Sequence, residues 1–244
     1  VKLTNKEFYK LKIKLGVGDV IIEQGENFSV SFIGKKPYLP LVQLSDGKLQ
    51  LKQKINLLER GEAELKVVIP QEVTLDSLDI QTNSGNIEIV DIKAEKAYLK
   101  STAGRVRRVA IAESLLESTD GNVTVRNSDL ADGKLATYDG EIKVSGSILS
   151  RVVLNVTDGD MNLTDVTIDE GSANLKAGNF TLDHAVFKSD YEIKNIEGNN
   201  TVWSANLKYA RVRTANGLNN ISFDPQPSGV VLTMTTVDGD NVVE

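Results

Sequence analysis

The sequence predicts an all-β fold, a right-handed single-stranded parallel β-helix (solenoid) of about 19-residue coils with an irregular β cap at its N-terminal end. Three observations point there. A glycine returns as Gly85, Gly104, Gly121, Gly140, Gly159, Gly178, Gly198, Gly217 and Gly239, in steps of 19, 17, 19, 19, 19, 20, 19 and 22. Apolar residues keep fixed distances on both sides of that glycine. No proline falls between Pro70 and Pro225, which suits strands paired on both edges, because proline removes a ladder N–H.

The phases define the strands. Five residues before the hinge glycine stand Ile80, Leu99, Leu116, Leu135, Leu154, Ala173, Ile193, Val212 and Met234. Two after it come Ile87, Val106, Val123, Ile142, Met161 and Phe180, and four after it Ile89, Val125, Val144, Leu163, Leu182, Val202, Ile221 and Val243. Alternation with a period of two on both sides of a glycine describes two half-buried strands around a bend. A pair seven and nine residues after it, such as Val166 and Ile168, adds a third short strand. One repeat cannot bury its own apolar face, whereas stacked repeats bring equivalent residues about 4.8 Å apart and share a core, so that nine coils span roughly 40 Å. A spacing of seven between apolar positions excludes a left-handed hexapeptide coil, and right-handed crossover is the rule for parallel strands.

Two polar columns share the inward phase. Three before the glycine stand Thr82, Ser101, Ser118 and Thr137, then Val156 and Leu175, then Asn195, Thr214 and Thr236. Their hydroxyls are expected to bond to one another or to backbone along the stack. Asn200, Asn219 and Asn241 replace apolar residues two after the glycine in the last three repeats, and stacked asparagines form amide ladders.

Residues 1–77 are expected to form the irregular β cap, continuous with solenoid repeats over 78–244 in one elongated domain. Phe8 and Tyr9 anchor a polar start, and Ile13, Leu15, Gly18, Val20 and Ile22 repeat the core phrase as an early coil. A strand over Phe28–Phe32, a turn at Lys35-Lys36-Pro37, a hairpin centred on Asp46-Gly47 and a strand from Ala63 to Ile69 follow. The short step between Gly104 and Gly121 contains Arg105, Arg107 and Arg108, and a bulge that turns Val109 inward accounts for it. Phe223–Gly229, with two prolines, reads as a protruding loop before the last strand.

Composition bounds the function. The 244 residues are 40% hydrophobic and 25% charged, ordinary for a globular chain with a sizeable core. A net charge of −6 disfavours nucleic acid and repels anionic membranes except at a local basic strip. The absence of cysteine excludes disulfides and thiolate metal sites. There is no run of 18 apolar residues and no apolar signal region, so a soluble piece with any anchor upstream of Val1 is expected.

The hinge phrases Thr82-Asn83-Ser84-Gly85-Asn86-Ile87, Ser118-Thr119-Asp120-Gly121-Asn122-Val123 and Val156-Thr157-Asp158-Gly159-Asp160-Met161, together with Ile69-Pro70 and the repeats from Leu78 onward, resemble the bacterial DUF4097 "putative adhesin" family over essentially the whole chain. The resemblance implies a β-solenoid, often attached to the cell envelope, with some relatives linked to envelope-stress responses. It carries over no catalytic residues.

Asp120, Asp139 and Asp158 precede the hinge glycine in three successive repeats. Carboxylates stacked about 5 Å apart suit a hard cation such as calcium. Asp-Gly is also favoured turn chemistry, and without the glycine-rich calcium nonapeptide the turn reading is preferred, with no metal and no cofactor expected. His184 is the only histidine, which leaves no histidine cluster or triad to assemble. Tyr191, Trp203 and Tyr209 read as outward or corner aromatics near Lys194, Lys208, Arg211 and Arg213. Together they suggest a surface for cell-envelope glycan, lipid headgroups or a surface protein. The expected role is a noncatalytic, extracytoplasmic binding or scaffold module. One alternative is a polysaccharide lyase or hydrolase, which needs clustered carboxylates beside a base such as Lys143. The other is a bactofilin-like self-assembling scaffold, which needs two bare ends, and the 77-residue cap argues against it.

Overall fold

The structure is a computed structural model that describes residues 1–54, 62–90, 92–103, 106–107, 110–224, 226 and 229–244, with backbone alone at 103, 106–107 and 110–114. Among these residues every regular element is a β-strand except one 3-10 turn at Lys36–Tyr38. The chain is all-β.

The strands flanking one hinge glycine form a tier, and tiers pair in parallel with equivalent residues opposite one another. Leu135 pairs with Leu154 and Leu154 with Ala173; Ile142 pairs with Met161 and Met161 with Phe180; Leu149 pairs with Ile168 and Ile168 with Phe187. All of these side chains are buried, in a single cluster that runs the length of the stack. Each deletes apolar surface from water, worth about 1.5–3 kcal/mol for a fully buried aliphatic or aromatic side chain.

Left-handed backbone marks the bends. One bend holds Asn127, Gly146, Asp165, His184 and Ser204, another Asp132, Arg151 and Glu170, all with positive φ. The hinge itself admits only glycine. At Gly159 φ is 132°, and a Cβ there would lie 2.1 Å from the Gly140 carbonyl oxygen, too close for any other residue. That carbonyl is also the acceptor for the inward polar column: Ser101 Oγ donates to Gly85 O (2.8 Å), Thr137 Oγ1 to Gly121 O (2.9 Å) and Asn195 Nδ2 to Gly178 O (2.9 Å). The expected hydroxyl column therefore bonds to backbone one tier away.

A second ladder escaped sequence analysis. The residue after the hinge is mostly Asn or Asp, and its side-chain oxygen accepts the N–H of the equivalent residue in the next tier. Asn86 N–H reaches Asp19 Oδ1 (2.7 Å), Glu141 N–H reaches Asn122 Oδ1 (3.0 Å), and Asn179 N–H reaches Asp160 Oδ1 (2.8 Å). The series continues from Asn199 N–H to Asn179 Oδ1 (3.0 Å), Asp240 N–H to Asn199 Oδ1 (2.8 Å) and Leu218 N–H to Asp240 Oδ1 (2.7 Å).

Tiers do not stack in chain order at the ends, which corrects the sequence reading of successive coils. Ile193 pairs with Met234, and Met234 with Val212, so the last strands of the chain slot between the tiers of Gly198 and Gly217. The long final step gives the chain length to cross the outer tier. Asp190 Oδ1 accepts the Val231 N–H (2.8 Å) where the returning strand enters. The asparagine ladder follows this spatial order: Asn200 Nδ2 donates to Asn241 Oδ1 and Asn241 Nδ2 to Asn219 Oδ1, both at 2.8 Å.

At the other end Ile13 lies between Leu51 and Ile80, so the early coil is a genuine tier flanked on both sides. The outermost strands are closed by antiparallel partners. Leu41–Ser45 folds onto Lys48–Lys52 across Asp46 (φ 49°) and Gly47 (φ 68°), and Ser29–Gly34 lies along Ala63–Pro70. The buried Gln53 amide accepts from Gly16 and Val17 N–H (2.9 and 3.0 Å) and donates to Val17 O (2.9 Å). Of the two expected anchors Phe8 is buried, 4.9 Å from the Phe28 ring, while Tyr9 is exposed. The register runs at 19 residues from Ile87 to Val106 and at 17 from Lys93 to Ala110. Arg105, Arg108 and Val109 lie outside the described residues, as do Pro225, Pro227 and Ser228 of the expected loop.

Candidate functional site

On the outward side of the strands before the hinge, one column reads Asp79, Tyr98, Leu115, Lys134, each paired in register with the next. These four side chains share a face because they sit six before their glycines, one place off the buried phase. Tyr98 and Leu115 are half-buried and form the floor of a surface cleft of about 580 Å³, rimmed by Asp79, Lys96, Asp132 and Lys134. Steps of about 4.8 Å put the carboxylate and the ammonium at opposite ends of a tyrosine–leucine platform.

The rim is electrostatically arranged. Lys12 pairs with Asp79, whose other oxygen accepts from Gln81 Nε2 at 3.0 Å. Arg151 engages Asp132 through both guanidinium arms (2.5 and 2.8 Å), and that hydrogen bonding holds the Asp132 carboxyl below the usual carboxylate range. Lys134 lies 3.6 Å from Glu117, which Lys100 shares at the same distance. An aromatic face between polar groups is suited to stacking on a sugar ring while hydroxyls bond at the rim. Sequence analysis overlooked the site, although an aromatic and a leucine side by side at an outward phase were its signal.

The residues singled out from sequence fare differently. Asp120, Asp139 and Asp158 do stack in register, exposed at the hinge. Among the described residues no group of three or more acidic or histidine side chains is disposed to hold a metal. Backbone capping falls to the residue after the glycine. Lys143, the base considered for catalysis, is bound to Glu141 at 2.6 Å. His184 is exposed at a bend with Nδ1 2.8 Å from Asp183.

In the late repeats Tyr191 corrects the outward reading. It is buried, 5.8 Å from the Phe187 ring, because seven before the glycine continues the inward alternation, as its pairing with Leu232 shows. Burial pushes its hydroxyl well above the usual phenol range. Trp203 is exposed but lies on the strand after the hinge, whereas Lys194, Arg211 and Arg213 lie on strands before it. Lys194 is exposed and paired with Glu192 at 2.7 Å. Thr235 separates Lys194 from Arg213. Arg211 sits 5.6 Å over the Tyr209 ring, and Lys208, Arg211 and Arg213 are exposed on the outermost tier.

The family model of Toastrack DUF4097 matches residues 8–226. The chain belongs to the Toastrack DUF4097 family. The match begins at residue 8, so it takes in the strands that precede Leu78. Among solved structures, a "putative adhesin" of Bacteroides fragilis NCTC 9343 is 15% identical, with 100% of this chain and 95% of that one covered and a TM-score of 0.51, a likeness of fold. A "putative adhesin" of Parabacteroides distasonis ATCC 8503 is 14% identical over 99% and 95% of the two chains (TM-score 0.37). A "putative cell adhesion protein" of Clostridium sporogenes ATCC 15579 is 14% identical over 98% and 96% (TM-score 0.25). No curated protein matches this chain.

Proposed function

We propose that this Toastrack chain is a noncatalytic, adhesin-like binding module of the bacterial cell envelope, a right-handed β-solenoid in one elongated domain whose outward wall takes up envelope glycan at Tyr98. The cleft floored by Tyr98 and Leu115 between Asp79 and Lys134 carries the reading. It offers an apolar platform one sugar ring wide, with charged groups at both ends and fixed by a sheet rather than by a loop. Rigid placement lowers the ordering cost of binding. The adhesin name of the Bacteroides fragilis protein with the same fold supports the class of role. Extracytoplasmic placement, with a link to envelope stress, rests on the family resemblance.

The carboxylates nearest to a catalytic role have other partners: Asp132 holds Arg151, Asp79 holds Lys12, and Glu141 holds Lys143. The test is retention of the protein on purified cell-wall polymers, measured together with release of soluble oligosaccharide. Tyr98→Ala is expected to weaken retention about tenfold, roughly 1.4 kcal/mol, with little change in melting temperature. Retention that survives Tyr98→Ala would sink the site. Oligosaccharide released in proportion to protein would sink the noncatalytic role.

A further inference from the structure

The tier around Gly217 has only one neighbour. Tyr209–Asn216 pairs with Val231–Asp238 alone, and Asn219–Ile221 with Asn241–Val243 alone, among the described residues. Among the described residues no strand pairs with their other edges, and Gln226 N–H reaches only Lys208 O (2.7 Å), just ahead of the first of them; such an edge is the template on which a further strand adds. The inward side chains of this tier are correspondingly under-covered. Val212 and Ile221 are only half-buried, where their equivalents Met234 and Val243 are fully enclosed.

The asparagine ladder also stops here. Asn219 accepts from Asn241, and it is exposed, the last rung of the ladder among the described residues.

Charge sets what fits. The whole chain carries −6, yet this tier presents Lys208, Arg211 and Arg213, none of them in an ion pair among the described residues. Arg211 and Arg213 alternate with Val212, so they project from one side of the strand while Val212 faces the core end. A second copy added antiparallel would set these arginines against each other, and like charges across a strand pair are destabilising. Head-to-tail stacking is obstructed by the antiparallel strands that close the opposite end.

We propose that the Gly217 tier is a strand-addition site for an extended acidic segment of a partner protein. Carboxylates at alternate positions of that segment meet Arg211 and Arg213, and an apolar residue between them covers Val212. Backbone hydrogen bonds supply the adhesion and the alternation supplies the choice of partner. This site is separate from the Tyr98 cleft, so either can fail without the other.

The probe is a fluorescent peptide of about seven residues, an average strand length, alternating glutamate and valine. Anisotropy is expected to show saturable binding below about 1 mM. Joint Arg211→Glu and Arg213→Glu replacement, both at exposed positions, should weaken binding about tenfold or more and favour a lysine–valine peptide instead. A glutamate–valine peptide N-methylated at alternate amides should lose binding to the unaltered protein, which tests the backbone ladder even if the double variant folds poorly. Equal binding of the methylated peptide would reduce the contact to charge alone and overturn the proposal. Failure to saturate, or indifference to the charge reversal, would overturn it too. Dimers in sedimentation velocity that the peptide disperses would assign the edge to a second copy and overturn it as well.

Discussion

The two ends of the stack solve the same problem differently. At the N-terminal end the outermost tier keeps Leu49, Leu51, Leu65 and Val67 at most 1% exposed. Strands running in the opposite direction cover its edges, and the Gln53 amide satisfies two N–H groups and a carbonyl. At the C-terminal end the outermost tier repeats the interior chemistry, with Thr214 Oγ1 donating to Gly239 O at 2.9 Å, and no described strand pairs with its outer edge. Its ladder position holds Leu218, 74% exposed and without a side-chain acceptor to offer a further tier. Repetition builds the interior of such a stack, but closure requires residues that break the repeat.

The contrast can be broken most forcefully by burying a charge at each end. Leu49→Asp is expected to cost about 4 kcal/mol, because the carboxylate has neither water nor a partner, whereas Val212→Asp should cost about 1 kcal/mol. Urea denaturation of both variants checks it, and equal losses would mean the C-terminal end is covered after all. Hinge glycines sharpen the point. Gly159→Ala forces a Cβ to 2.1 Å from Gly140 O inside a tier locked on both sides, for an expected loss of about 3 kcal/mol. Gly217→Ala meets the same 2.1 Å contact with Gly239 O, but its tier is free to shift outward, so about 1 kcal/mol is expected.

The amide ladder should respond in the same graded way. Asn241→Leu removes the middle rung and leaves the buried Asn200 Nδ2 with only the long contact to Thr235 O (3.4 Å), a loss of about 2 kcal/mol, while Asn219→Leu at the exposed rung should stay within about 0.5 kcal/mol. The smallest effect belongs to Arg151→Ala, midway along the wall. Asp132 is held below its ordinary range chiefly by hydrogen bonding to Arg151. The stabilisation is therefore present above the unfolded-state pKa and is lost as pH falls through the lower native one. In the variant the Asp132 titration followed by NMR should move up towards the ordinary range, with the melting temperature at neutral pH nearly unchanged.

Much of the interior was legible because the buried phases are set by geometry alone. Leu135, Leu154, Ile142 and Met161 are buried where period two around a glycine puts them. The amide ladder of Asn200, Asn219 and Asn241 followed from the same phase. Tyr191 was misread because the alternation was not carried as far as seven before the hinge, where Val152 and Leu232 are likewise buried. The order of the last tiers was not legible in principle from the core phrase. Every tier offers the same apolar columns, so burial is equally satisfied by the next repeat or the one after it. What distinguishes them lies outside the core: the step of 22, and Leu218 where most tiers carry Asn or Asp. The Tyr98 cleft was legible and overlooked, since Tyr98 and Leu115 occupy an outward phase that is polar in the neighbouring Asp79 and Lys134.

The slotting of Val231–Asp238 between Tyr191–Glu197 and Tyr209–Asn216 has a consequence for biosynthesis. Tiers made of consecutive segments can dock one after another as they leave the ribosome, N-terminal first. Residues 209–221 cannot, because the strand they pair with is translated after them. They must wait undocked until residues 231–243 have emerged, and then both segments join the sheet together. The basic edge therefore does not exist as a sheet edge on the nascent chain until residues 231–243 have docked.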